Sequence, residues 1–422
     1  MAKNKLITVW CFGREIGRIG FDENLSTSTF QYHPEFLKSG DYPRLFPYII
    51  KRTSIAQLFN TYNSPSYRGL PPVIADSLPD VFGNIIFKAW LEARDKDFQK
   101  ISVLEQLAYV GSRGMGALEY RPEKKMAAKD ATIDLAEVTE VMGQVLAQKN
   151  GVSGEGLDSA ALLNIFKIGS SAGGARPKIL ISKDQVTGRI IPGDLEYGAN
   201  FDHYLVKLYI PEEEHPYSRE KVEYCYYLTA TALGINMMPS HLIEGKHFAT
   251  LRYDRTDGEK KHVLTASGMT GWDFKDPVMS SYENLFSLAV NLKLPPAQLD
   301  ELFLRMVFNV VFFNIDDHLK NHAFIYDPAK DRWDLSPAYD LTYALNPLQQ
   351  VVRVNRALSI NGKRNGIELL DLLDIAEKYT IKTPKQVIEK VVQGIELWLD
   401  HAQQIGVPAN IIAAMQKDFV RF

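Results

Sequence analysis

Asn314-Ile315-Asp316-Asp317-His318-Leu319-Lys320-Asn321-His322 is the densest polar stretch of the chain, and it follows the most apolar one, Leu302 to Phe313. Two carboxylates, two imidazoles, an ammonium and two amides would be costly to bury unpaired at the end of a core helix, so the stretch belongs at a cleft or a turn. Read blandly, it is a solvated loop with Asp and Asn as turn formers. Read for chemistry, Asp316 supplies a carboxylate that can orient a hydroxyl and take its proton. Asn321 supplies an amide oxygen able to hold a divalent cation close by. A second carboxylate should come from a neighbouring segment. Ala323–Tyr326 and Arg332–Leu335 read as two short strands around a turn. That hairpin would return Asp340, in Leu335-Ser336-Pro337-Ala338-Tyr339-Asp340-Leu341, to Asn321 at its open end.

The spacing Asp316-x-x-x-x-Asn321 is the one with which protein kinases place a catalytic Asp before a metal-binding Asn. Phosphoryl transfer also needs a cation on the phosphates. Lys207 sits mid-strand in Tyr204–Ile210 and either points to solvent or contacts phosphate, held by Glu223 on the following helix. The small-residue loop Gly169–Lys178 has no Walker pattern. Gly173 and Gly174 still allow backbone N–H groups to approach phosphate, with Arg176 and Lys178 adding charge. Ser170 and Ser171 lie where a kinase could phosphorylate its own loop. A second glycine-rich run, Gly111–Gly116, reads as a turn entering a strand, because Ala117–Pro122 does not continue as a helix.

The chain has 422 residues, a length that suggests two or three domains or subdomains. Lys+Arg 48 against Asp+Glu 51 disfavours a strongly basic nucleic-acid binder. Two cysteines, Cys11 and Cys225, provide neither a disulfide framework nor a zinc set. No stretch reaches the length of a membrane span and the N-terminus lacks signal-peptide form, so a cytoplasmic protein without a membrane partner is expected.

Leu6–Phe12 and Ile16–Ile19 read as a hairpin, and the proline-rich residues 33–80 disfavour long helices. Phe82, Ile85, Ile86, Ala89 and Trp90 trace one helical face. A helix over Ile133–Lys149 stops at Asn150-Gly151, and Gly151–Gly156 reads as a linker. Beyond it, strands are expected at Ile179–Ser182 and His247–Tyr253. Helices are expected at Tyr224–Leu233, Tyr282–Leu292, Pro296–Asn314, Glu368–Lys378 and Pro384–Gln404. The fold class is α+β, a β-rich part followed by a helical one with a cleft between two lobes. The expected division is 1–155, 156–255 and 256–422.

In chain order, Gly173-Gly174-Ala175-Arg176-Pro177-Lys178, Lys207, Asn314–Asn321 and Ser336-Pro337-Ala338-Tyr339-Asp340 together resemble the HipA-type serine/threonine kinases, toxins of bacterial HipBA toxin–antitoxin systems. Leu358–Lys363, the N-terminal hairpin and Leu78-Pro79-Asp80 extend the resemblance to nearly the whole chain. It implies a HipA-like, two-lobed, protein-kinase-like fold and an ATP- and Mg²⁺-dependent kinase. Asp316 would be the catalytic base, Asn321 and Asp340 the Mg²⁺ ligands and Lys207 the phosphate contact. His318 and Lys320 match positions inside the catalytic loop. Arg252 and Tyr253 lie in a segment resembling the hinge, whose backbone would meet adenine. Ser171, or its neighbour Ser170, matches the autophosphorylation serine; added phosphate there would be repelled by ATP. The implied partners are a protein substrate, an aminoacyl-tRNA synthetase for the best-known toxins, and a HipB-like helix-turn-helix antitoxin. DNA would be met only through that antitoxin. The eukaryotic H-R-D, D-F-G and G-x-G-x-x-G-x-V patterns are absent.

Two rival readings have distinct signatures. A metallohydrolase would use Asp316, Asp317, His318 and His322, with the histidines at i, i+4 on a helix. A catalytically silent co-repressor scaffold would bind the antitoxin without turning over ATP.

Overall fold

The computed structural model describes residues 5–79, 81–92, 97–124, 133–149, 176–193, 198–211, 215–349 and 354–422. Among these, the N-terminal hairpin is β1 (Leu6–Cys11) with β2 (Arg14–Asp22). Alternation decides its faces: Ile7, Val9 and Cys11 point into the core and are fully buried. β3 (Thr27–Tyr32), a short helix α1 (Pro34–Ser39) and β4 (Gln57–Phe59) follow. The proline-rich region then yields only the one-turn α2 (Pro72–Ala75). Next come α3 (Val81–Glu92), α4 (Val103–Val110), β5 (Glu119–Arg121) and α5 (Leu135–Lys149). α4 begins in a Ser102/Glu105 capping box, and Gly111 ends it at φ +53°, so this glycine run is a helix stop leading to a strand. The first sheet is antiparallel, in the order β4-β3-β2-β1-β5.

A second antiparallel sheet is built from β6 (Lys178–Asp184), β7 (Ile190–Pro192), β8 (Phe201–Lys207), β9 (Ser240–Ile243) and β10 (His247–Leu251), in the order β7-β6-β8-β10-β9. Helix α6 (Arg219–Ala232) connects β8 to β9 and packs on β9 and β10. On the other face, Ile179, Ile181, Val206, Leu208 and Ala249 pack with Phe87 and Leu91 of α3 and with Leu135, Val138, Met142 and Val145 of α5. Helices N-terminal to residue 155 therefore complete the core of this sheet.

Some element bounds differ from expectation. β8 starts at Phe201 and ends at Lys207 rather than running over Tyr204–Ile210, because the Tyr209 N–H leaves the ladder to donate to His247 Nδ1 at 3.0 Å. α6 begins at Arg219, ahead of Tyr224, because Ser218 caps it by accepting from the Lys221 N–H.

After the small hairpin β11 (Arg255–Thr256) and β12 (Glu259–Lys260), β13 (His262–Thr265) leads into α7 (Ala266–Thr270), α8 (Tyr282–Asn291) and α9 (Pro296–Val311). β14 (Ala323–Asp327) and β15 (Arg332–Leu335) form the expected hairpin, with β13 on its other side. α10 (Leu369–Lys378), α11 (Pro384–Ile405) and α12 (Ala409–Asp418) close the helical part. α11 packs on both α6 and α9. The first sheet shares one apolar core with these helices. Trp333 Nε1 donates to the Arg44 carbonyl at 2.8 Å across that boundary. No described helix is long and apolar enough to cross a membrane.

Candidate active site

Strand alternation sets the first member of the site. Val206 and Leu208 fill the apolar face of the second sheet, so Lys207 must point to the opposite face, toward α6. It is 5 % exposed, which removes the solvent-facing alternative. Its Nζ donates to Glu223 Oε1 on α6 at 2.6 Å and also to Asp340 Oδ1. Antiparallel register puts Lys178 directly opposite Lys207, on the same face. Arg176 NH1 lies 4.0 Å from Glu223 Oε2. Three cations and two carboxylates thus share a pocket where an unpaired charge would be costly.

α9 ends at Val311 rather than Asn314, just ahead of the polar stretch. Phe313 takes a left-handed φ of 54° and turns the chain out of the helix. The turn Leu319–Asn321 is a short 3-10 helix, after which β14 starts. Asn321 Nδ2 donates to the Asp316 carbonyl at 2.7 Å, which ties the ends of the loop together. The β14–β15 hairpin, in register from Phe324↔Leu335 to Asp327↔Arg332, brings Asp340 back so that it lines one small recess with Asn321. Asp340 holds a left-handed φ of 54°, a conformation costly to most L-residues and common at ligand-holding positions.

The carboxylates differ electrostatically. Burial alone would raise Asp340, but Lys207, Lys178 and His318 outweigh it and hold the group well below the ordinary carboxylate range. The Asp316 side chain is 65 % exposed. Its proton affinity is raised, first by desolvation and then by Asp340 and Asp317, against the pull of His318. His318 Nε2 lies 3.9 Å from Asp316 Oδ1. The His318 ring rests on Phe274 with centroids 5.0 Å apart, and Lys320 Nζ lies 5.3 Å from the same ring.

Other expected residues fall in mixed positions. The Arg252 side chain is committed to Asp254, through Nε at 2.9 Å and NH2 at 2.8 Å, so only backbone of this segment remains for a ligand. The Arg252 N–H itself donates to the His203 carbonyl at 2.8 Å. Tyr253 stacks on Tyr339, whose hydroxyl donates to the Lys320 carbonyl at 2.8 Å. Ser170, Ser171, Gly173 and Gly174 lie outside the described residues.

The helical His318/His322 pair of the metallohydrolase reading does not form. His318 precedes the 3-10 turn and His322 follows it, because the chain needs a tight turn to enter β14. His322 is buried against Tyr282, and Asp317 is taken by Arg356 NH2 at 2.7 Å. Among the described residues no three His, Cys, Asp or Glu side chains converge on a metal position. The partner of Asp317 escaped sequence reading. Its signal was present, however: Asn309, a polar residue inside the apolar helix, belongs to the same buried network.

Comparison with known proteins agrees with this arrangement. Residues 7–121 match the HipA N-terminal domain model and residues 170–399 the HipA-like C-terminal domain model. No curated protein matches. The chain resembles the HipA of Shewanella oneidensis MR-1 solved with HipB and operator DNA. The TM-score is 0.65 at 16% identity, over 98% of this chain and 95% of that one. The Helicobacter pylori proinflammatory kinase CtkA aligns over 58% of this chain and 93% of its own, with TM-score 0.34 and 14% identity. An α+β chain whose residues 7–121 and 170–399 match the two HipA domain models belongs to the HipA family, with the HipA fold.

Proposed function

We propose that this chain is an ATP- and Mg²⁺-dependent serine/threonine protein kinase, the toxin of a toxin–antitoxin pair with a HipB-like antitoxin. The observation that carries the reading is that buried Lys207 bridges buried Glu223 and the half-buried Asp340 beside the Asp316–Asn321 loop. The residues fit the nucleotide and its metal. Lys207, Lys178 and Arg176 gather positive charge for phosphates. The Asp340 carboxylate and the Asn321 amide oxygen are hard oxygen donors of the kind Mg²⁺ takes. Bound Mg²⁺ would neutralise charge on the phosphates.

The chain's own residues would divide the work. Glu223 holds Lys207 toward the site, a role the 2.6 Å ion pair supports. Asp316 orients the attacking hydroxyl and accepts its proton; a carboxylate raised above the ordinary value is the better acceptor. Lys320, steadied on Phe274 beside the His318 ring, adds positive charge near it. The backbone near Arg252 and Tyr253 would meet adenine, and Ser171 or Ser170 would be the autophosphorylation site. Any contact with DNA would come through the antitoxin, as the HipB partner of the Shewanella protein suggests.

Intact and peptide mass spectrometry after incubation with Mg-ATP tests the reading, with Asp316→Gln in parallel. Phosphate should appear on the wild type only, while the variant keeps nucleotide affinity within a few-fold. Equal phosphate on both would remove Asp316 as the base. No phosphate together with no ATP binding would overturn the kinase reading in favour of a silent scaffold.

A further inference from the structure

Beneath the loop carrying Asp316 and Asn321, five buried side chains form one continuous hydrogen-bonded chain. Arg356 NH2 donates to Asp317 Oδ2 at 2.7 Å, and the Leu358 N–H reaches Oδ1 at 3.3 Å. The Tyr282 hydroxyl donates to the same Oδ2 at 2.8 Å. Asn309 Nδ2 donates to the Tyr282 oxygen at 3.0 Å, and Asn314 Nδ2 donates to Asn309 Oδ1 at 2.9 Å. Asn314 Nδ2 also lies 3.4 Å from the Asp340 carbonyl. None of the five is more than 5 % exposed.

The direction of every bond is forced. A guanidinium only donates and a carboxylate only accepts, so Tyr282 must give its proton to Asp317. Its oxygen is then open to the Asn309 amide, whose own oxygen is open to Asn314. The chain therefore has one hydrogen-bonded arrangement, anchored by charge at the Arg356 end. At the other end lies the backbone of Asp340, in its left-handed conformation. The Ala357 N–H donates to the Ile315 carbonyl at 2.8 Å, so the segment carrying Arg356 is also stitched to the loop by its main chain.

We propose that Arg356 is a positioning residue for phosphoryl transfer, acting through Asp317 to set the adjacent Asp316 and through Tyr282, Asn309 and Asn314 to set Asp340. This rests on the kinase reading above. Without Arg356, Asp317 is a buried charge lacking its counterion, and the cheapest relief is to turn the loop toward water. Asp316 moves with it. A displacement of about 1 Å in reacting geometry lowers a rate on the order of 100-fold.

The test uses the full chain with Arg356→Met, Arg356→Lys and Tyr282→Phe. Two readouts run together: phosphate incorporation against ATP concentration, and hydrogen–deuterium exchange of peptides spanning 313–322. Arg356→Met should lower kcat about 100-fold with KM for ATP within about threefold, and Arg356→Lys should regain about tenfold of that loss. Exchange at 315–318 should quicken in Arg356→Met and Tyr282→Phe. A variant that melts earlier but keeps kcat and loop protection at 25 °C would show a stability brace only and overturn the proposal. If the wild type neither transfers phosphate nor binds ATP, the kinase reading fails. The exchange comparison then decides the positioning role alone, with unchanged loop protection refuting it. Should Arg356→Met fail to fold, Tyr282→Phe, which deletes one oxygen, carries the same comparison.

Discussion

Replacing Asp254 with Asn should destabilise the whole chain far more than an ordinary surface change. Asp254 is fully buried, and its carboxylate accepts from Arg252 Nε and NH2, from Arg255 NH1 at 2.7 Å, and from the Gly116 N–H at 2.8 Å. Arg255 in turn donates to the Gly116 and Gly114 carbonyls at 3.1 and 2.9 Å. The cluster thus clasps the end of the N-terminal region to the segment joining the second sheet to the helical part. Asparagine keeps the size but removes the charge, leaving two buried guanidinium groups short of their anion. Breaking a buried ion pair from one side costs about 3–5 kcal/mol, a large share of the roughly 5–15 kcal/mol that domains have. For 422 residues unfolding as one unit, that is a fall in melting temperature of about 3–6 °C. Differential scanning calorimetry reads it, with Asp257→Asn on the exposed turn nearby as control. A melting temperature within about 1 °C of wild type would refute the clasp. The pH dependence gives the sign. Burial would raise Asp254, but Arg252 and Arg255 overcome it and hold the group below its ordinary value of 3.8. Its contribution is therefore complete above that value and lost as pH falls below it, so the gap between wild type and variant should close in acid.

Asp340→Asn should weaken Mg²⁺-dependent ATP binding, read by titration calorimetry with and without Mg²⁺; unchanged affinity in both would take Asp340 out of the site. His247 and His262 are fully buried and held down mainly by desolvation, at about 4 and about 3. The unfolded chain binds protons first, so urea midpoints should fall between pH 7 and pH 5, and a flat profile would contradict their neutral burial. Gly69 has φ +79°, and a Cβ there would lie 2.2 Å from the Ser26 carbonyl oxygen. Gly69→Ala should therefore cost about 1–3 kcal/mol in chemical unfolding, and a neutral result would mean the turn relaxes freely.

Much of the fold was legible because helices and hairpins are specified locally. The periodicity of Tyr282–Leu292 and Pro384–Gln404 matches α8 and α11 to within a residue or so. The alternation in Leu6–Phe12 and the turn between Ala323 and Leu335 correspond to real hairpins. The return of Asp340 to Asn321 was legible for the same reason: a hairpin is the shortest way to bring the chain back to that loop.

Other features could not be read along the chain because they depend on what faces a residue from far away. Mid-strand, Lys207 could have pointed either way; the apolar helices α3 and α5 claimed the other face and turned it inward to Glu223 and Asp340. Asp317 read as one more polar loop residue until Arg356, from a later segment, proved to neutralise it. Arg252 read as part of a ligand-facing segment, whereas burial beside Asp254 committed its side chain elsewhere. Backbone conformation and hydrophobic period are short-range properties that a sequence carries in its own order. The pairing of buried charges is settled only when distant segments exclude the water that would otherwise solvate each one.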